Sequence, residues 1–524
     1  MNTRCTTHNF GRNRSIAKAA LRIGVGAVAG LLFVTGLQAQ KKNKKRSETR
    51  VPDSYSESQI EKALQSPLTL DDCIRIALRK NVNLEIARFD IEAAKADISG
   101  SYATFLPTFS IEAQQTKQSE NRPIDPDEPD EITDLEFDNN ALVASVEQTF
   151  ITGGILKFSG DLRRDVNSPD RFGAAPEETE NRGYTVEFTQ PLLKDGWFMI
   201  TKSATNLAKH EKRAQQYIYD DAALQTMLEV KRAYYEVLLQ REIINSNTAA
   251  ISRDSTLLSL SNSKFNASLA TRRDVLSAEI QLAEDQAALI AAEAEYELSL
   301  DALKEVLGLP ITDRIRVAQT TLEYSDVPLD QEKLIALALD NNPVIKSIEA
   351  DVRQNELQRR IAKNQRLPSL DFNISYNGQN DKKITDQTEV NSNDFVLGLS
   401  LSYPLFDRKS SSDVKKASIA LSQQQGKLSN VRRQTIQEVR KLVRITFSSV
   451  KELEVLAKNK EAANEKVNFA TAMFNMGRAS NLDITDAQQA LLKSEIQYNR
   501  KLVDYHLQLA QLETLIGRSL ADIQ

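Results

Sequence analysis

Reactive and metal-binding side chains are scarce in this chain of 524 residues, which has three histidines, two cysteines and one tryptophan. Aromatic residues make up 6% and charged residues 27% of the sequence, a balance typical of long helices rather than of a compact β-rich enzyme. No glycine-rich phosphate loop, metal-ligand spacing or nucleophile elbow is found. The sequence therefore predicts no enzyme, metal or cofactor, and no basic face favours nucleic acid.

Long apolar runs are missing beyond the N-terminus. The first 39 residues combine a basic segment, the apolar run "IGVGAVAGLLFVTGL" and Leu37-Gln38-Ala39, which resembles a cleavage site. We expect residues 1–39 to be a signal peptide, with a retained anchor as the alternative. Removal takes away Cys5 and five positive charges, so the formal net charge changes from −5 to −10. Cys73 is then the single cysteine, which excludes an internal disulfide, and the bacterial envelope is the predicted compartment.

The chain contains two copies of one long unit. An ungapped alignment of residues 265–308 with residues 474–517 gives eleven identities in 44 positions. A second ungapped pair begins at Cys73 and at Leu334. The predicted organisation is a flexible lead-in over 40–66, a first repeat over 67–309, a linker over 310–330 and a second repeat over 331–524.

Each repeat is dominated by predicted helix. A helix of about thirty residues opens each copy, at 71–103 and 331–365, and stops at Leu-Pro. A much longer helical stretch follows, at 197–262 and 407–473, and then a tight turn and a return helix. At 1.5 Å per residue, about 65 residues make a rod of about 100 Å. A globular core needs no rod of this length, so the rods indicate that a distance is spanned.

Three short segments alternate between apolar and polar residues: "YTVEFTQ", "SLDFNISY" and "FVLGLSLSY". This alternation is typical of strands in an outer-membrane barrel, and a half-buried strand of a soluble sandwich is the alternative. The signal peptide and the rods favour the membrane. A few strands per chain do not close a barrel, and lipid tolerates no open edge, so several chains must share one barrel.

The order of these features resembles the outer-membrane efflux proteins, the family of TolC-like channels. The motifs that carry the resemblance are "LTLDDCIRIALRKN", the matched Leu-Pro stops, "FTQPLLKDG" and "LSYPLFDRKS" before the rods, and the two Phe-Asn turns. The resemblance implies a mixed membrane protein that forms a homotrimer. Long antiparallel helical hairpins would form an α-barrel, and strands from three subunits would close one β-barrel.

The resemblance also implies a function: a passive exit duct of a tripartite efflux or type I secretion system. Substrates would pass from an inner-membrane pump, through a periplasmic adaptor (membrane fusion) protein, into a duct in the Gram-negative cell outer membrane with a periplasmic extension. The alternative is a soluble periplasmic coiled-coil adaptor or scaffold, which has no use for lipid-facing rows of leucine and phenylalanine. Drugs, metal ions, siderophores and secreted proteins all fit such a duct, so cargo and pump stay open.

Two aspartates follow the turn of the second rod. Ser480 and Asp483 have the spacing of a capping box, and Thr271 and Asp274 repeat it in the first copy, so a helix-start role suffices for Asp274 and Asp483. Asp486 has no such role in this pattern. The resemblance implies that Asp483 and Asp486 form the periplasmic pore constriction. Under threefold symmetry they would make two carboxylate rings that favour cations, and crowding would raise their pKa values.

The turns at the rod ends are the adaptor-docking tips that the resemblance implies, with a plain turn role as the alternative for Gly477. The tip residues are Ser268, Leu269, Ala270, Thr271, Gly477, Arg478, Ala479 and Ser480. Three aromatic residues lie at the predicted strand–rod junctions and are candidates for a membrane-interface belt: Trp197, Phe198 and Tyr403. Packing between rods is the alternative for Trp197.

The first copy holds more predicted strands than the second. Residues 141–164, "ALVASVEQTFITGGILKFSGDL", indicate a hairpin that turns at Thr152-Gly153-Gly154. A trimer has 18 strands if this hairpin joins the wall and 12 if it projects outside. Residues 119–138 and 165–181 are the predicted external loops.

Overall fold

The computed structural model describes residues 54–520, with gaps at 126–127, 168–176, 197, 321, 325–328 and 385. The predicted signal peptide over 1–39 lies outside the described residues, as do the first part of the lead-in and Trp197.

Two hairpins of very long helices and one antiparallel sheet dominate the described part of the chain. The first repeat contains α1 (Glu57–Leu64), α2 (Leu70–Lys80), α3 (Val82–Ser101), β1 (Thr108–Asp125), β2 (Glu128–Thr149), β3 (Ile155–Asn167), β4 (Glu177–Pro191), α4 (Phe198–Thr201), α5 (Ser203–Asn266) and α6 (Arg272–Leu307). The second contains α7 (Gln331–Asn341), α8 (Pro343–Gln365), β5 (Ser369–Lys383), β6 (Glu389–Ser402), α9 (Arg408–Asn475) and α10 (Asn481–Ile516). Over the described ranges, no helix is both long and apolar enough to cross a membrane.

The rods are α5 and α9, with 64 and 68 residues, and each forms a hairpin with a return helix of 36 residues. At 1.5 Å per residue the rods are about 100 Å long, as the sequence predicted. The return helices end at Gly308 and Gly517, whose φ angles of 69° and 66° are left-handed and favour glycine. Helix α3 packs on α5, and α8 packs on both α5 and α9.

An asparagine divides the opening helix of each repeat, so the prediction of one continuous helix over 71–103 and over 331–365 was wrong. The Asn81 side-chain oxygen accepts hydrogen bonds from the backbone N–H groups of Asn83 and Leu84, at 3.0 and 3.3 Å. Asn342 caps α8 in the same way. These oxygens satisfy N–H groups that a continuous helix would bond internally, and each asparagine therefore starts a new helix.

The same two asparagines fasten the opening helices to the return helices. The Asn81 amide nitrogen donates to the carbonyl oxygen of Val306 at 3.0 Å, and that of Asn342 donates to the carbonyl oxygen of Leu515 at 3.1 Å. Both asparagines are buried, with 8% and 6% of their surface exposed. The duplicated sequence thus builds the same junction twice.

The predicted lead-in and the predicted linker both belong in part to the core. Helix α1 buries Ile60, which corrects the expectation of a flexible lead-in for residues 57–64. Leu68 pairs with Val317 of the predicted linker in a parallel bridge. Cys73 packs in the same core, where burial raises the pKa of its thiol to about 12, so this cysteine is an apolar packing residue.

The six strands form one antiparallel sheet in chain order, β1 to β6. The hairpin of residues 141–164 lies inside this sheet, because β2 pairs with β1 and β3 pairs with β4. Strands β1 and β2 continue through most of residues 119–138, so the prediction of an external loop there was wrong. Pairing between neighbouring strands outweighs the loop-like acidic composition of this stretch.

Candidate functional site at the tips of the helical hairpins

Both rods end in the same turn. The second residue after the Phe-Asn pair has a positive φ in each copy. This residue is Ser268 in the first copy, with φ 59°, and Gly477 in the second, with φ 73°. A Cβ atom on Gly477 would meet no other atom within 4 Å, so only the backbone angle favours glycine there. Large apolar side chains are exposed at both tips, including Leu269 (77%) and Met476 (60%).

Reciprocal capping boxes start both return helices. The Asp483 carboxylate accepts hydrogen bonds from the Ser480 backbone N–H at 2.7 Å and from the Ser480 hydroxyl at 2.8 Å. Asp274 accepts the same pair of bonds from Thr271, at 2.9 and 2.7 Å. These hydrogen bonds lower the pKa of both aspartates. In the single chain, the pKa of Asp483 therefore moves in the direction opposite to that predicted for a carboxylate ring.

Asp486 has a partner that the sequence did not reveal. The Lys466 ammonium group lies 2.5 Å from its carboxylate, and the two side chains are 50% and 71% exposed. Lys466 lies on α9 and Asp486 on α10, twenty residues apart in the chain. No local spacing rule pairs residues across a hairpin turn, which is why the sequence left Asp486 without a structural role.

The two tips are packed together as one body. Their shared apolar cluster draws on α5, α6, α9 and α10 and contains Leu257, Ala278, Ala463, Val467, Ala470, Phe474, Ile484, Ala487 and Leu491. Lys264, at the end of α5, donates a hydrogen bond to the carbonyl oxygen of Phe474, at the end of α9. The tips of the first and second repeats are therefore positioned by each other.

Asn481 makes a second connection between the hairpins. It is 1% exposed, and its amide nitrogen donates to the hydroxyl of Ser261 at 2.6 Å and to the carbonyl oxygen of Asp274 at 2.8 Å. The matching position in the first copy is Arg272, so this contact is specific to the second repeat. Sequence reasoning missed it because an asparagine in the first helical turn usually acts locally.

A buried acidic pair lies farther along the first hairpin. Asp254 and Asp285 are 2% and 9% exposed. Neither Asp254 carboxylate oxygen has a hydrogen-bond partner among the described residues. Burial, and then the neighbouring Asp285 carboxyl group, raise the pKa of Asp254 to about 7. The Asp254 carboxyl group therefore binds a proton much more readily than an exposed aspartate does.

The sheet at the other end of the rods has one apolar and one polar face. The paired residues that share the apolar face are Phe109, Ile111, Leu142, Ala144, Val146, Leu156, Phe158, Tyr184, Val186, Phe188, Leu370, Phe372, Ile374, Tyr376, Phe395, Leu397, Leu399 and Leu401. Opposite them lie Ser110, Glu112, Ser145, Glu147, Lys157, Ser159, Asp161, Thr185, Glu187, Asp371, Asn373, Ser375 and Ser400. The predicted alternation therefore recurs in all six strands, with Val143 and Val396 as apolar exceptions on the polar face.

The aromatic residues at the strand–rod junctions are accessible. Phe198 is 53% exposed at the start of α4, with the Lys202 ammonium group 5.8 Å from its ring centroid. Tyr403 is 52% exposed directly after β6. No group of three or more histidine, cysteine, aspartate or glutamate side chains is placed to hold a metal among the residues with described positions.

A duplicated unit, paired rods and an amphipathic sheet together define a class of outer-membrane duct. The family model described as "Outer membrane efflux protein" matches residues 73–309 and 334–518, and the chain belongs to this family. This membership confirms the predicted family, fold and location in the Gram-negative outer membrane. It also favours the channel over the soluble adaptor.

Similar proteins are found by sequence and by structure. The chain is 26% identical over 367 residues to the outer membrane protein TolC of Vibrio cholerae, an alignment that covers 66% of this chain and 79% of TolC. It is 23% identical over 366 residues to the alkaline protease secretion protein AprF of Pseudomonas aeruginosa, which covers 67% of this chain and 73% of AprF. The CmeC outer membrane channel of Campylobacter jejuni has the same fold, with a TM-score of 0.62 at 15% identity over 92% of this chain and 94% of CmeC.

Proposed function

We propose that three copies of this chain form a passive exit duct that receives substrates from an inner-membrane pump through a periplasmic adaptor. The observation that carries this proposal is the direct continuation of two rods of about 100 Å into a sheet with a continuous apolar face. Such a sheet has two unpaired edges, β1 and β6, which lipid does not tolerate. Pairing these edges with other copies removes them.

We assign the narrow entrance of the duct to Asp483 and Asp486. Both lie in the first two turns of α10, beside the tip, and the Asp486 side chain is 71% exposed. Threefold symmetry turns each aspartate into a ring of carboxylates that attracts cations. Lys466 belongs to the same site, because its positive charge offsets part of the charge of Asp486.

We assign adaptor docking to the two tips, residues 268–271 and 477–480. The exposed apolar side chains of Leu269 and of Met476, the residue before the second tip, support this assignment, because a protein partner would remove them from water. Replacing both with glutamate is expected to abolish efflux while the channel still reaches the outer membrane. Loss of the assembled channel itself would instead indicate a folding role for these side chains.

Extraction and bilayer recordings test the duct. The protein should stay in the membrane fraction after salt and carbonate washes and be released by detergent as a trimer. In planar bilayers, Asp483→Asn combined with Asp486→Asn should reduce cation selectivity and block by multivalent cations. Release without detergent would contradict the duct, and unchanged selectivity would restrict Asp483 to capping and Asp486 to its ion pair.

A further inference from the structure

The wall of the sheet contains a hairpin, residues 141–164, that has no counterpart in the second repeat. Its two strands are fully paired with their neighbours. Ser110 of β1 and Ser145 of β2 are opposite each other, with their hydroxyl oxygens 2.8 Å apart. On the other side, Ser159 of β3 is opposite Thr185 of β4. Removing the hairpin from the wall would break both sets of backbone hydrogen bonds.

The turn of this hairpin contacts the junction between β4 and the first rod. The Thr152 hydroxyl donates to the Gln190 side-chain oxygen at 3.0 Å, and the Gln190 amide nitrogen donates to the Thr152 carbonyl oxygen at 3.0 Å. Gly153 has a φ of 89°, and a Cβ atom there would come within 2.8 Å of the Asp195 carbonyl oxygen. The hairpin is therefore a built-in part of the strand–rod junction.

The apolar face moves along the strands as it crosses the sheet. One row of mutually paired residues runs through Leu397, Ile374, Phe188, Leu156 and Gln148. In β6 the apolar residues 395–401 are centred on Gly398, which lies one residue nearer to the helical rods than Leu397 of this row. In β2 the apolar residues 142–146 are centred on Ala144, four residues away on the other side, and Ile111 of β1 is paired with Ala144. From β6 to β1 the apolar band thus shifts by five residues over five steps, an average of about one residue per strand.

This shift is the one that a closed membrane barrel requires. A lipid-facing band is level in the membrane, so its displacement along the strands measures how far the strands tilt. One residue per strand corresponds to a tilt of about 36°, as in eight-stranded barrels with a shear of eight. Membrane barrels tilt by about 35–45°. Strands β5 and β6 share one apolar centre, as do β1 and β2, so the displacement arises between β5 and β2, across β4 and the two strands of the hairpin.

We infer that β2 and β3 are part of the transmembrane wall and that three copies close one 18-stranded barrel. Residue Ser110 in β1 of one copy would lie opposite Ser400 in β6 of the next. This inference rests on the proposed function and specifies the number of strands and the seam. If the shift continues by one residue across the seam between two copies, Gly398, the centre of the apolar run of β6, lies opposite Glu112 of β1. This register pairs Ile111 with Leu399 and keeps the apolar residues of both strands on one face.

The extra strands widen the outlet. For a strand spacing of about 4.8 Å and a tilt of about 36°, the backbone radius is about 17 Å with 18 strands and about 11 Å with 12. The inner face carries the polar row that contains Glu112, Glu147, Asp161, Glu187 and Asp371. The outlet would therefore be a wide, hydrated opening with an excess of negative charge.

Cysteine pairs in the full chain test the seam and the wall separately. Ser110→Cys with Ser400→Cys should give covalent trimers on a non-reducing gel after oxidation in the membrane, whereas Ser110→Cys with Ser402→Cys, two residues out of register, should give few. Ser159→Cys with Thr185→Cys should cross-link within each chain. Ser145→Cys with Ser159→Cys is the matched control, because this pair lies within the hairpin and forms wherever the hairpin goes.

The outcomes separate this inference from the proposed function. Covalent trimers together with the Ser159–Thr185 cross-link support an 18-stranded barrel, and electron microscopy of the particle should show the wider radius. A detergent-extracted trimer that forms the control cross-link but not the Ser159–Thr185 cross-link would overturn the inference and leave the duct intact. A chain that forms no trimer and needs no detergent would overturn the proposed function.

Discussion

The Lys264 ammonium group lies 3.5 Å from the centroid of the Phe474 ring and 2.6 Å from the Phe474 carbonyl oxygen. One cation thus contacts both the π face and the last-turn carbonyl of the same residue. Phe474 is 5% exposed, so much of this interaction is shielded from water. Because Lys264 ends one rod and Phe474 ends the other, the contact holds the two tips of a chain together.

Replacing this lysine should loosen the tip. We expect Lys264→Met to lose about 1–2 kcal/mol of local stability, because a cation–π contact and a hydrogen bond from a charged donor are removed. Hydrogen exchange of the backbone amides in residues 258–275 and 470–490 should become faster, and bilayer recordings should show more frequent opening. Lys458→Met, an exposed lysine on α9, the rod that carries Phe474, is the control and should change neither measurement.

The selectivity of the entrance should depend on Lys466. Since its ammonium group offsets the Asp486 carboxylate, Lys466→Gln is expected to raise cation selectivity in planar bilayers, whereas Asp486→Asn lowers it. Lys415→Gln removes the same charge near the other end of α9 and should leave the reversal potential unchanged. Equal shifts from the two lysine variants would mean that total charge, and not this ion pair, sets selectivity.

The buried acidic pair should make stability depend on pH. Burial raises the pKa of Asp254 from 3.8 to about 7, so the folded chain keeps a proton that the unfolded chain releases. This contribution is complete below about pH 4 and is lost as the pH rises through about 7. Asp254→Asn should therefore stabilise the protein at pH 7.5, by about 2 kcal/mol, and flatten the profile.

Denaturant unfolding of the detergent-solubilised channel between pH 4 and pH 8 measures this effect. Asp504→Asn, an exposed aspartate on α10, is the matched control and should retain the wild-type profile. If the stability of the wild type and of Asp254→Asn changes with pH to the same extent, Asp254 ionises in the folded chain without cost and the prediction is wrong.

The two capping asparagines should be equally important. Asn81→Ala and Asn342→Ala each remove a helix cap and a hydrogen bond to a return helix, and each is expected to cost about 2 kcal/mol. Thermal unfolding with Asn83→Ala, an exposed neighbour, as the control checks this. If only one of the two variants is destabilised, the two junctions are not equivalent in spite of their identical contacts.

The sequence predicted features that are written into a single segment. The rods, their capping boxes and the strand alternation depend on residues a few positions apart, so local periodicity reveals them. It did not reveal the breaks at Asn81 and Asn342, because a capping asparagine resembles an ordinary polar residue within a long helical pattern.

Contacts between distant segments could not be predicted from the sequence either. Lys466 meets Asp486 across a turn, and Lys264 meets Phe474 over a separation of 210 residues. Strand ends were misplaced for a related reason. In β1 every residue from Gln114 to Asn121 is polar, so alternation ends there although pairing between β1 and β2 continues.

The hairpin of residues 141–164 also shows how the number of wall strands in such a chain can change in evolution. Two inserted antiparallel strands cross the sheet in opposite directions. The segment that follows them therefore begins on the same side of the membrane as the segment before them ends. The part of the chain that follows the hairpin, from β4 onward, therefore keeps its orientation and its contacts with the part before it. A single added strand would invert everything after it. Ducts of this type are therefore free to gain or lose wall strands in pairs while the helical machinery below stays the same.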